Sequence, residues 1–491
     1  MRRVCWCVGG VLPLLLLACL AALGGSLWAD QTAAPSAKAA AKEEPVSFIR
    51  DVAPILKENC FACHDAKKKS GKYDMTTYEK LLAGGVNGEA VIPGKPEESE
   101  LYTLMVSQDE RRMPPRDKGE AVAADKAEVI RRWILQGAKL DAGIEAKADL
   151  NKELRIRWQP PRPPQAYPFP AIINALAFTP DGKRLVAGGY HELTVWEATT
   201  GKLVQRVWTR AERAYGMVFV PDGHLVVAGG RPGQEGDVRI YQLSAPGPTV
   251  DGVVQLDGVH DPKVLVKHLV DVEDAVLCVA ATPDGKVVAA GGCDRTVRVF
   301  DLSKGLTQAE LVQTVENHAD WVLGCALTAD GKYLLTASRD KTAKVWNLQA
   351  RESVVTFPEH QACVYGVVAK PDGSLGYSVG ADKQLRAWRV AGDGKQLTNA
   401  GGHTDEIFKV AINRAGTRLA TAGADRTVRL WDAGGKLTTL RQWTGLTDHV
   451  FALTFSPDGE LIAAGCYDGT VAVWKVADGA LVARWNASPG W

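Results

Sequence analysis

Asp425-Arg426-Thr427-Val428-Arg429-Leu430-Trp431-Asp432 is a turn followed by an alternating strand that ends on an aromatic, and Asp294-Arg295-Thr296-Val297-Arg298-Val299-Phe300-Asp301 repeats it. Outward from these two segments the same unit recurs. Turn pairs stand at Asp181-Gly182, Asp222-Gly223, Asp284-Gly285, Asp330-Gly331, Asp372-Gly373, Ala415-Gly416 and Asp458-Gly459, each followed by an apolar strand pattern and then by Trp196, Tyr241, Phe300, Trp346, Trp388, Trp431 or Trp474. The offset from turn to aromatic is 16 residues in five units, 15 in the first and 19 in the second, where Arg231 to Glu235 is inserted. A period of about 40–45 residues carrying four short strands is the pattern of a propeller blade. Seven such units predict a closed, all-β, seven-bladed ring over residues 171–491.

These segments resemble WD40 repeats. The resemblance implies a buried hydrogen-bonded tetrad in each complete blade. His318, His360 and His403 precede their Trp by 28 residues, Thr336, Ser378 and Thr421 by ten, and Asp340, Asp382 and Asp425 by six. Blades one, two, three and seven lack the His. Buried polar groups must satisfy one another, so the tetrads read as structural. Gly376-Tyr377-Ser378-Val379-Gly380 matches the pattern of a nucleophile elbow, but that device needs a strand-to-helix turn, and Ser378 falls on a blade strand.

Composition agrees with a chain of several domains. At about 150 residues per domain, 491 residues predict two to four. The chain is 46% hydrophobic and holds 49 Gly and 25 Pro, a surplus of turn residues over helix filler. With 58 Lys+Arg against 57 Asp+Glu, it lacks the basic excess that nucleic-acid binding requires, and no such partner is expected.

Met1-Arg2-Arg3 precedes an uncharged stretch from Val4 to Ala29, in the order of a secretory signal peptide. Cleavage after Ala29 is expected, with a retained anchor or a lipid on Cys19 as alternatives. Each places the protein outside the cytoplasm, in the periplasm or cell envelope, with no membrane span once the signal is removed. Arg2-Arg3 lacks the flanking pattern of a twin-arginine signal. Residues 30–45 read as a disordered tether of Ala, Lys and Glu.

Residues 46–142 read as a small all-α module. A helix capped by Asp51 runs into Cys60-Phe61-Ala62-Cys63-His64, and a second helix starts at Asp125 with Glu128 as a capping box, turns Val129, Ile130, Trp133 and Ile134 inward and stops at Gly137. C-x-x-C-H is the attachment pattern of a c-type haem: two thiols one helical turn apart reach one edge of the porphyrin, and the imidazole lies under the iron. Zinc would need further ligands, and the module has no other Cys or His. One covalent haem c is therefore expected on Cys60 and Cys63, with His64 as proximal iron ligand. For the distal position the candidates are Met75, Met105 and Met113. Met113 leads because Pro114 and Pro115 stiffen the chain after it and Arg111, Arg112 and Arg116 surround it, whereas Met105 sits between Leu104 and Val106 as core filler.

The module also resembles the planctomycete-type cytochrome c domain. The likeness is carried by Phe48-Ile49-Arg50-Asp51-Val52-Ala53-Pro54-Ile55-Leu56 leading into Cys60–His64, by Val91-Ile92-Pro93-Gly94-Lys95-Pro96, by Met113-Pro114-Pro115, and by Trp133-Ile134 with Gly137-Ala138. It implies a monohaem cytochrome with His64 proximal and Met113 in the family's Met-Pro-Pro position. Charge from 46 to 142 is balanced, 16 against 16. Lys67-Lys68-Lys69 reads as a solvated loop or as a steering patch for an acidic redox partner.

A Pro-rich connector is read over 143–170. Of ten Cys, three lie in the leader and two hold haem, leaving Cys278, Cys293, Cys325, Cys363 and Cys466 as buried thiols, with a Cys278–Cys293 pair as the alternative. The leading functional reading is an exported electron carrier whose propeller docks a redox or other protein partner, and not an enzyme. The alternatives are a redox enzyme with a second cofactor or substrate in the propeller, for which His191, His224, His260, His268 and His449 are the uncommitted histidines, and a haem-based sensor or scaffold.

Overall fold

The computed structural model describes residues 44–316, 318–434 and 436–491. The leader over 1–29, Cys19 and most of the tether over 30–45 lie outside the described residues. The chain divides into two compact units between Lys147 and Ala148.

The first unit is helical. A π-helical turn, Phe48–Val52, passes into α1 (Ala53–Asn59); α2 (Tyr78–Ala83), α3 (Glu100–Val106) and α4 (Ala124–Leu135) follow. The helix begins one turn before the expected Asp51. Ser47 Oγ accepts from Arg50 N at 3.1 Å, and the Asp51 carboxylate accepts in return from Ser47 N at 2.9 Å. Asp51 is thus the second half of a reciprocal cap whose first half is Ser47. The expected box at Asp125 does not form: no side chain caps α4, and Glu128 accepts from Arg131. Ile130, Trp133 and Ile134 are buried as expected, while Val129 is half-buried. Gly137, at φ +95°, ends the helix in a backbone shape that favours glycine.

The second unit is the propeller. It contains seven antiparallel sheets of four consecutive strands, except that the second blade borrows its outer strand from beyond an insertion. The blades span 176–208, 213–272, 276–316, 322–357, 364–400, 407–443 and 450–486. The seven turn glycines have φ between +68° and +87°, as a tight hairpin requires. All seven repeat aromatics lie buried on the third strand of their blade. The insertion in the second unit lengthens a hairpin, with Arg231 paired to Glu235.

Three features depart from a uniform ring. From Asp222 to Asp284 there are 62 residues, where the other turn-to-turn intervals are 41 to 46. The excess forms a hairpin, Thr249–Val250 with Val253–Asp257, that pairs in parallel with Leu203–Trp208 and widens the first blade to six strands. Ring closure uses no exchanged strand: Leu481–Asn486 completes the last blade locally. The first and last blades join through Ile173, Leu176 and Phe178 packed on Ala452, Val471 and Val473, and through Ile173 N to Cys466 O (3.1 Å) and Tyr167 N to Pro489 O (2.9 Å).

The third departure is the stretch read as a connector, which is part of the propeller from Ala148 onward. It contains α5 (Leu150–Arg157), capped by Asp149. Trp158 lies 3.8 Å beneath the Arg231 guanidinium, and Arg162 lies 3.6 Å over Trp208, whose Nε1 donates to Pro161 O at 2.9 Å. Arg210 reaches the carbonyls of Arg155 and Ile156 while pairing with Glu235, and Arg206 reaches those of Pro164 and Gln165 while pairing with buried Glu192. Proline cannot donate hydrogen bonds, but its carbonyls accept them, and arginine forks supply the donors.

Candidate functional site

The site grows from the end of α1. Cys60 N bonds Leu56 O at 2.8 Å, and His64 N bonds Cys60 O at 3.0 Å, so Cys60 to His64 make one helical turn after the helix proper. That turn brings both thiols and the imidazole to one wall. Ser70 N to Cys63 O (3.0 Å) and Met75 N to His64 O (2.8 Å) fold the following loop back against it. His64 Nδ1 lies 3.3 Å from Tyr73 O, and the two rings stack edge-on at 5.5 Å. The Tyr73 hydroxyl donates to Leu81 O at 2.7 Å, which anchors this support to α2. A carbonyl on one ring nitrogen is the outer support by which proteins orient a metal-binding imidazole, and it leaves Nε2 as the ligating atom.

Cys60, Cys63, His64 and Met113 all line one cleft of about 880 Å³. The remaining wall is mostly apolar and includes Leu101, Leu104 and Met105. Both cysteines are free thiols. Burial pushes the Cys60 thiol up to about 12, with the nearby Cys63 adding to the effect, so Cys60 carries its proton in this cleft. Two unlinked thiols, an imidazole with its other nitrogen tied, and a mostly apolar wall are the donor set and surface that a covalent haem requires.

The three methionines differ. All three line the cleft, but Met75 and Met105 are 5% and 4% exposed and sit in the core of the unit, while Met113 is 40% exposed. Its backbone N donates to Leu104 O at 2.9 Å. The flanking arginines secure its loop: Arg112 donates to Pro114 O and Gly119 O, and Arg116 to Gln108 O. Sequence reasoning did not identify Tyr73, Leu101 or Leu104 as parts of the site. Tyr73, nine residues after His64, carries no motif, because its contribution is a carbonyl that any residue could offer.

In the propeller, His360 Nδ1 lies 3.0 Å from the Asp382 carboxylate and Nε2 2.8 Å from Ser378 Oγ, to which Trp388 Nε1 donates at 3.0 Å. His403 repeats this with Asp425, Thr421 and Trp431 at 2.9, 2.7 and 2.8 Å. The fourth blade has the His318–Asp340 and His318–Thr336 contacts, but Trp346 Nε1 is buried without a partner among the described residues. Ser378 is a buried member of this chain, which removes it from consideration as a nucleophile. The first two blades replace the tetrad with ion pairs: Arg206–Glu192, Arg210–Glu235 and Arg239–Asp237.

The five uncommitted histidines are scattered. His191 is buried against Arg210 O at 3.0 Å, and burial lowers it to about 4. His224 faces Gln242, His260 bonds Gln159, His268 pairs with Asp271, and His449 lies beside Phe408. None lines the central channel, and among the described residues no three His, Cys, Asp or Glu side chains converge as a metal site. Cys278 and Cys293 are both free, and the partner facing Cys278 is Cys325, from the next blade.

Residues 60–117 match the family described as planctomycete cytochrome C. Residues 263–301, 309–347, 351–389, 394–432 and 437–475 match the WD domain, G-beta repeat. The first blade and the inner three strands of the second, where ion pairs replace tetrads, fall outside the matched repeats. The chain is similar to WD repeat-containing protein 18 of Danio rerio, 29% identical over 28% of this chain and 30% of that one. It is also similar to Protein groucho of Drosophila melanogaster, at 26% over 27% and 16%, and to the p21-activated protein kinase-interacting protein 1-like of Xenopus laevis, at 30% over 22% and 28%. It spans less than a third of each of these relatives. A cytochrome c domain implies haem-based electron transfer, and a WD40 propeller implies protein binding.

Proposed function

We propose that this chain, a planctomycete cytochrome C domain followed by WD40 repeats that form a seven-bladed propeller, is an exported monohaem electron carrier that docks its partners on the propeller. The observation that carries the reading is the convergence of Cys60, Cys63, His64 and Met113 on one apolar cleft, with His64 Nδ1 already tied to Tyr73 O. Haem c, when bound, supplies an iron that takes up and releases one electron. Cys60 and Cys63 would hold it through their sulfurs, and His64 Nε2 and Met113 would serve as its iron ligands. Tyr73 and Leu81 hold the imidazole plane, and the mostly apolar wall favours the less charged state of the site. Among the three methionines, Met113 fits the ligand role because Met75 and Met105 already act as packing.

Export rests on the leader Met1–Ala29. Among the described residues no helix is long and apolar enough to cross a membrane. The propeller's rigid blades present loops whose side chains select a protein partner.

Mass spectrometry of the chain made in a host competent for cytochrome c maturation tests the attachment. One haem mass is expected on the peptide containing Cys60 and Cys63, lost in the double variant Cys60→Ser/Cys63→Ser. The reduced spectrum of Met113→Ala should acquire an exogenous-ligand response, such as carbon monoxide binding, that wild type lacks. No haem mass on the wild-type peptide would overturn the redox reading, and an unchanged ligand response in Met113→Ala would overturn the distal assignment.

A further inference from the structure

The seven inner strands of the propeller surround a channel whose mid-section is a pocket of about 680 Å³. Its lining is aliphatic or neutral except at Lys409, on the strand Ile407–Ile412 of the sixth blade. The Lys409 side chain makes no hydrogen bond or ion pair with a described residue. Facing it across the channel are two thiols, Cys278 on Val276–Ala281 of the third blade and Cys325 on Val322–Leu327 of the fourth. Cys278 Sγ lies 3.5 Å from Gly291 O, and Cys325 Sγ lies 3.6 Å from Ala289 O. Those carbonyls are two residues apart on one strand, Val287–Gly292, so the sulfurs are drawn to the same short stretch and come within hydrogen-bonding reach of each other.

The charges here are incomplete. Lys409 is half-buried, and no carboxylate in the channel lining answers its charge. Carboxylates are missing from the lining, which disfavours calcium or magnesium, and two sulfurs fall short of the four ligands of structural zinc. Soft thiolates without other ligands select cuprous ion.

We propose that Cys278 and Cys325 form a two-coordinate thiolate site for Cu(I) in the propeller channel, with Lys409 as its counter-charge. Binding releases both thiol protons and forms two sulfur–copper bonds, giving a bis-thiolate complex of charge −1 that the ammonium neutralises. Copper enters and stays cuprous, so no oxidant or reductant is involved. The site is independent of haem attachment.

The test loads the full chain anaerobically with Cu(I) delivered as its bicinchoninate complex, then washes it with excess chelator. Wild type and Cys293→Ser should each retain one equivalent more than Cys278→Ser or Cys325→Ser, a difference to which the other thiols contribute equally on both sides. Lys409→Met should release copper at a chelator concentration at least tenfold lower, and Lys409→Arg should behave as wild type. X-ray absorption at the copper edge of the washed wild type should give two sulfur neighbours, a readout that needs no variant. Equal copper in wild type and both cysteine variants, nitrogen or oxygen neighbours, or a Cys278–Cys325 disulfide in peptide maps of the untreated chain would overturn the site. Unchanged retention by Lys409→Met would overturn the counter-charge.

Discussion

Replacing Thr421 or Thr336 by Val makes the same isosteric change at the same position of two blades, and the two should not cost the same. In the sixth blade Thr421 Oγ1 accepts from Trp431 Nε1 and lies 2.7 Å from His403 Nε2. Since the indole donates to that oxygen, the hydroxyl donates onward to Nε2, and the remaining His403 proton, on Nδ1, goes to Asp425. Removing the hydroxyl strands two groups that are almost wholly buried. In the fourth blade Thr336 serves His318 but no indole, because Trp346 Nε1 already lacks a partner, and its other contact is a long one of 3.5 Å to the strand carbonyl Lys344 O. Each stranded buried group costs about 1–3 kcal/mol, so Thr421→Val should destabilise by about 2–6 kcal/mol and Thr336→Val by about 1–3 kcal/mol. Backbone preference and side-chain volume change equally in the pair and cancel. Equilibrium urea unfolding of the full chain, followed by far-UV circular dichroism, measures the difference. In a Trp431→Phe background the excess cost of Thr421→Val should disappear, as the stranded indole proton is gone. Equal costs for the two valines, or an excess that persists without the indole nitrogen, would refute this account of the blades.

Acid should act through the same groups. Burial pushes the Asp425 carboxyl up, but bonds from His403, Thr427 and the Thr404 amide outweigh it and hold it at about 2. A carboxyl depressed on folding stabilises above its unfolded value and loses that contribution as pH falls from about 4 towards 2. Asp425→Asn should therefore flatten the decline of the urea midpoint between pH 5 and 2, and an unchanged slope would count against the bond to His403. Glu192→Ala leaves Arg206 buried and unpaired, at a cost of about 3–5 kcal/mol, much of which the double variant Glu192→Ala/Arg206→Met should restore, also by urea unfolding. Trp158→Ala removes the ring under Arg231, an interaction of about 0.5–2 kcal/mol, and should speed amide hydrogen exchange in Leu150–Arg157 while leaving the fifth blade unchanged.

The parts of the fold legible in the sequence are those built from neighbours. The turn pairs announce a positive φ at their glycines, the alternation announces strands, and the repeat of both announces a ring. Errors gathered where a local pattern had two readings. Asp51 looked like a cap because it precedes an apolar stripe, yet Ser47 begins the helix and Asp51 returns its bond. Proline content made 158–164 look like a spacer, although proline carbonyls accept the hydrogen bonds of Arg206 and Trp208. In the fourth blade all four tetrad residues are present, but whether Trp346 reaches Thr336 is a matter of ring placement that spacing does not specify.

By itself the chain's order of residues determined the seven-unit ring and the placement of Cys60, Cys63 and His64 within one helical turn, since hydrogen bonding between near neighbours enforces both. Only the tertiary structure decided that Tyr73 supports His64, that Met113 and not a packed methionine lies exposed on the cleft, that Ile173 and its neighbours close the ring, and that Cys325 meets Cys278. Those pairings join residues brought together by the rigid placement of whole strands and helices against one another. Such contacts depend on how the elements pack, and no repeat or spacing along the chain records them.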